Sequence, residues 1–167
     1  MAVDVGRIGE LAEAGKLEEL AGALAKAFPK GLVGERDALV TFLVNEVGLE
    51  HPRAVRVADE LESAGYAHHL PGERPRWIFT SKPVSLRELM MMLDEEFSEF
   101  VGEGDEDPRE TALKFISSRL RVDREVAEEI LEGLVAAGYA EVAYSPELER
   151  DRYFFKFPEA FVMTYRA

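Results

Sequence analysis

Arg53, Arg56, Arg74 and Arg76 are the side chains whose type and spacing best suit the capture of another molecule. Residues 51–87 hold six Lys or Arg against four Asp or Glu, a positive local balance. The chain as a whole carries 33 acidic and 20 basic residues, a formal net charge of −13. A local basic patch on such a chain attracts phosphate or an acidic protein surface, while the rest of the molecule repels both. Residues 88–167 hold nine basic and twenty acidic residues, so any attraction for phosphate belongs to the first half alone. The alternative for the arginines is a solvated face with intramolecular pairs to nearby acids.

Other chemistry is poorly provided for. The three histidines are His51, His68 and His69. Neighbouring strand residues point to opposite faces, so His68 and His69 are not expected to share a metal. There is no cysteine, which excludes disulfides, thiolate metal sites and a cysteine nucleophile. No zinc-protease, phosphate-loop or dinucleotide motif occurs. The acidic run Gly102 to Asp107 lacks the spacing of a calcium loop and reads as a solvated loop ending in a helix cap. Ser117 and Ser118 lack the flanking glycines of a nucleophile elbow. The expectation is therefore no enzyme, no catalytic residue, no metal and no cofactor. The run Met90-Met91-Met92 is a different resource. Met90 fits a core stripe, but consecutive helical residues lie about 100° apart, so Met91 or Met92 must reach the surface or a neighbouring element. Exposed methionines make adaptable apolar contacts, so Met91 and Met92 are candidates for a partner or self-association contact, with packing between repeats as the alternative.

The elements that must position these residues follow from a repeat. Residues 61–67 read LESAGYA and residues 134–140 read LVAAGYA, at an offset of 73. The register extends upstream. Phe42 falls opposite Phe115, Leu43 opposite Ile116, and Leu17, Leu20 and Leu24 opposite Met90, Leu93 and Phe97. Each repeat reads as three helices followed by a hairpin. In the first, a stripe from Ile8 to Phe28, interrupted near Gly15, precedes helices from about Glu35 to Val47 and from Pro52 to Gly65. In the second, Ser85 and Glu88 open a stripe of Leu89, Met90, Leu93, Phe97 and Phe100. Asp107 with Pro108, and then Asp123, start the next two helices, and Gly138 closes the last. Hairpins are expected near Tyr66–Leu70 with Arg76–Thr80, and near Tyr139–Tyr144 with Arg152–Phe157. Phe154 and Phe155 should face opposite sides of their strand. Residues 158–167 fit a short helix or an extra strand equally well.

Three helices, a glycine-tyrosine-alanine step and a hairpin resemble the winged-helix superfamily. The residues that carry the resemblance are Leu61-Glu62-Ser63-Ala64-Gly65-Tyr66-Ala67 and Leu134-Val135-Ala136-Ala137-Gly138-Tyr139-Ala140. The implied fold is α+β and mainly α, with two tandem winged-helix repeats over residues 1–82 and 83–167, each three helices followed by a β-hairpin wing. The resemblance implies that a third helix enters the DNA major groove while the wing touches backbone or minor groove. Arg53 and Arg56 in the third helix, and Arg74 and Arg76 in the wing, would then be the contacts. In the second repeat the matching helix positions are Val126 and Glu129, and that helix also carries Glu125, Glu128 and Glu132, a face that phosphate would avoid.

Two functions compete on these grounds. One is a non-enzymatic protein–protein interaction or scaffold module in a larger complex. In outline it is similar to the acidic tandem winged-helix subunits of chromosome-organising or membrane-remodelling complexes. The other is a DNA-binding transcriptional regulator using the third helix and wing of repeat one. Charge favours the first and fold analogy the second. No apolar run approaches the roughly 18–20 residues of a membrane span, and the N-terminus lacks a secretory pattern, so a cytoplasmic location is expected.

Overall fold

A computed structural model describes residues 3–89, 91, 100–101, 107–146 and 149–155. The architecture is α+β and mainly helical. The stripe from Ile8 to Phe28 forms two helices, α1 (Val5–Ala14) and α2 (Leu17–Ala27). Asp4 Oδ1 accepts from the Arg7 N–H at the start of α1, and Gly15 reverses the chain at φ 69°. A left-handed residue at this point lets the helix stop without Cβ strain. A two-residue strand β1 (Leu32–Val33) follows, then α3 (Ala38–Asn45) and α4 (His51–Ser63), with Pro52 in the first turn of α4. The hairpin β2 (Ala67–Leu70) and β3 (Arg76–Phe79) completes the first half.

The second half opens with α5 (residues 86–89), where Ser85 Oγ accepts from the Glu88 N–H. Next come β4 (Phe100–Val101), α6 (Pro108–Leu120), α7 (Arg124–Ala137), β5 (Ala140–Ser145) and β6 (Arg150–Phe155). Asp107 and Asp123 cap α6 and α7 through their carboxylates, as their spacing before each helix demands. Phe100, expected on a helical stripe, instead pairs with Phe154 in the β4–β6 ladder. A two-residue strand is recruited by its partner, not by any period of its own. The expected positions Met90, Met92, Leu93 and Phe97, the run 102–106 and residues 158–167 lie outside the described residues.

Each half carries a three-stranded antiparallel sheet, and the order is equivalent: β1-β3-β2 in the first and β4-β6-β5 in the second. In both, a short strand laid down before the last two helices pairs with the second strand of the hairpin. Two apolar cores result. The first gathers α1 to α4 with Ala67, Trp77 and Phe79. The second gathers α5, α6, α7, β5 and β6, and also takes in Leu70 and Ile78 from the first sheet. Successive strand residues face opposite ways, so β3 sends Trp77 and Phe79 into one core and Ile78 into the other. Ile78 is 1% exposed.

Close approach at this junction explains a glycine that helix propensity would reject. A Cβ on Gly133, in the middle of α7, would come within 2.6 Å of Ile78 Cγ2. Interior glycine costs a helix roughly 1 kcal/mol relative to alanine. Here it admits the isoleucine, whose burial contributes about 1.5–3 kcal/mol.

Candidate functional site

The four arginines do not form one open patch. Arg53, in the first turn of α4, turns back to the carboxyl end of α1, where one terminal nitrogen donates to Glu13 O at 2.9 Å and to Ala12 O at 3.2 Å. Ala12 O also accepts from the Gly15 N–H that closes the helix, and a cation at a helix C-terminus meets the negative end of the dipole. Arg53 Nε is buried and has no hydrogen-bond partner among the described residues. Arg76 Nε donates to Arg74 O at 3.1 Å, and its Nη1 donates to Lys30 O at 2.9 Å, tying the α2–β1 connection to the first hairpin. Partial burial and the neighbouring Arg74 charge lower the Arg76 pKa from its usual value. Arg74 is exposed, but its guanidinium lies against Gly138, with Nη2 2.7 Å from where a Cβ would stand. Arg56 is exposed, and no hydrogen bond or ion pair holds it among the described residues.

Around α4 the charges are also engaged. Arg36 meets Glu62 at 2.6 Å and lies 5.2 Å from the Trp77 ring centroid, while Trp77 Nε1 donates to Arg36 O. Arg36, Arg87, Ser63, Ser85 and the buried His68 line a cleft of about 330 Å³.

His68 and His69 both lie inside. Thr80 Oγ1 donates to Gly65 O, so its remaining capacity is as acceptor from His68 Nε2–H at 3.1 Å. Complete burial drives the His68 pKa down to about 4, partly opposed by the Gly65 carbonyl. His69 Nε2 donates to Gly34 O at 3.0 Å, and its ring meets Trp77 edge-on at 5.3 Å. Burial lowers its pKa as well. The two imidazoles thus reach different partners and act as internal polar ties. His51 is exposed at the start of α4.

Three of the acids on α7, Glu128, Glu129 and Glu132, are paired, while Glu125 is exposed. Glu129, at the position matching Arg56, accepts from Ser81 N at 2.8 Å and from Ser81 Oγ at 3.0 Å. Burial raises its pKa, against the lowering effect of those two bonds. Arg124 bridges Glu110 and Glu128, and Arg109 meets Glu132 at 3.2 Å. Val126, matching Arg53, is buried in the second core. Tyr139 donates its hydroxyl proton to Pro71 O. Together with Ile78 on Gly133, these contacts clasp the first hairpin against α7. One mid-helix glycine was the only mark of this clasp in the sequence.

Ser117 and Ser118 line an open depression of about 460 Å³ with Glu110, Leu113, Lys114 and Arg124. Met91 is 46% exposed, and Met92 lies outside the described residues. Three exposed apolar residues were not foreseen: Val33 at 68% on β1, and Val142 at 46% and Tyr144 at 60%, both on β5. Phe155 is buried in the second core and Phe154, on the other face of β6, is half-buried. No helix among the described residues is long and apolar enough to cross a membrane.

A scan against protein-family models gives no match, and a search for curated relatives gives none.

Proposed function

We propose that the chain is a tandem winged-helix protein, with repeats meeting near residue 82, that works as a non-enzymatic interaction or scaffold module within a larger protein complex. The shared strand order and the helix-glycine-hairpin step in both halves support the fold assignment. One observation carries the functional reading: two of the four arginines a winged helix would turn to DNA, Arg53 and Arg76, are used inside this chain. Arg53 closes α1, Arg76 holds the α2–β1 connection, and the first wing is clasped by α7. The charge of −13 acts in the same direction.

The DNA-binding regulator is the second reading, and exposed Arg56 on α4 is the observation in its favour. Fluorescence anisotropy of a labelled mixed-sequence duplex, titrated at low and near-physiological salt, separates the two. The interaction module shows no binding even at low salt, where non-specific DNA binding is strongest. Salt-sensitive binding that disappears in Arg56→Glu would transfer the assignment to the regulator.

A further inference from the structure

We propose that β5 is a docking edge that takes up a basic, extended segment of a partner protein as an additional strand. The proposal rests on the interaction-module reading and names the surface and the partner chemistry.

The other sheet edges are closed or short. β1 and β4 are two residues long. β2 has four residues, every one of them buried. β5 has six, stands at the outer position of its sheet, and among the described residues pairs only with β6. Among the described residues, one side of β5 therefore presents unpaired N–H and C=O groups along its length. Proteins usually blunt such an edge with proline, charged side chains, a bulge or a covering element. The strand AEVAYS has no proline or lysine and a single charge, Glu141.

The side chains along this edge define what fits. Ala140, Val142 and Tyr144 share one face by the strand period. Ala140 is 2% exposed within the core, while Val142 and Tyr144 carry the same apolar row out into solvent. Glu141, on the opposite face, is exposed, as is Glu149 in the turn. An added strand places alternate residues over the two faces. The matching segment thus sets apolar side chains beside Val142 and Tyr144 and a lysine or arginine beside Glu141. A second copy of this chain fits less well, because it brings another −13 to the contact.

The probe is a labelled peptide of alternating lysine and valine, added to the full chain and followed by anisotropy and by hydrogen exchange at residues 140–145. The proposal expects saturable binding and slowed exchange at β5. It also expects Tyr144→Lys, checked for an unchanged melting curve, to bind roughly tenfold more weakly, equivalent to about 1.4 kcal/mol. The same peptide N-methylated on alternate residues keeps its charge and apolar faces but loses the edge hydrogen bonds, and it should not bind. Equal binding of the methylated peptide, or of Tyr144→Lys, would overturn the proposal, as would slow β5 exchange already present in the free protein. A dimer in sedimentation at low salt with β5 protected would assign the edge to self-association instead. Failure of the peptide arm with no duplex binding removes this edge and leaves the interaction module standing, whereas duplex binding removes the module itself.

Discussion

The two hairpins follow equivalent helices and carry the same strand order, yet they are put to opposite uses. The first, β2–β3, is short and buried on both sides, with Trp77 and Phe79 in one core and Leu70 and Ile78 in the other. The second, β5–β6, has longer strands and carries Val142 and Tyr144 into solvent. His68 and Glu141 stand at matching positions, the one fully enclosed and the other exposed. The contrast shows that a hairpin's role is set by what packs on it. The first hairpin has α7 on its far side and serves as cement, whereas among the described residues no helix takes that place beyond the other.

The sharpest way to break this comparison is to weaken each hairpin in turn. Ile78→Ala removes a fully buried side chain at a tight junction and is expected to cost about 2–5 kcal/mol by chemical denaturation. Val142→Ala should stay within about 0.5 kcal/mol. Similar costs would mean that the second hairpin is enclosed too.

Acid sharpens it next. The His68 pKa near 4 lies below the ordinary histidine value of 6.5, so the unfolded chain takes up this proton first. Stability from the neutral buried ring is complete above pH 6.5 and is lost as pH falls towards 4, by about 3 kcal/mol. Denaturation midpoints across that window should fall less steeply in His68→Gln than in the parent protein. An identical slope would show that His68 does not titrate from a buried site.

The smallest expected effect compares two tyrosines. Tyr139→Phe deletes the hydroxyl donor to Pro71 O across the junction and should cost about 0.5–1.5 kcal/mol. Tyr144→Phe, on the exposed edge, should be neutral within about 0.5 kcal/mol. Equal losses in thermal melts would remove the hydroxyl from the clasp.

Helix ends were legible in the sequence because caps are local: Asp107 with Pro108, Asp123 and Gly138 act within a few residues of themselves. The break at Gly15 was half legible, since one apolar stripe runs through both α1 and α2 and only the glycine marks their separation. β1 and β4 were not legible, because two residues hold no period. The arginines were misleading for a related reason. Arg53 looks outward on a helical wheel, but its partners are carbonyls 40 and 41 residues earlier in the chain. The outer position of β5 was equally hidden, because alternation shows which face of a strand is apolar and not which strands flank it.

The placement of Ile78 in the second core also bears on biosynthesis. Leu70 and Ile78 leave the ribosome before any residue of α7, whose last residue is Ala137. At about 5–20 residues per second, the intervening stretch takes roughly 3–12 seconds to make. During that interval the part of the first sheet's apolar face that α7 covers stays open, with only α5 and α6 made to share its core. Slow decoding between residues 80 and 137 would prolong that exposure, and transiently exposed apolar surface of this kind favours aggregation.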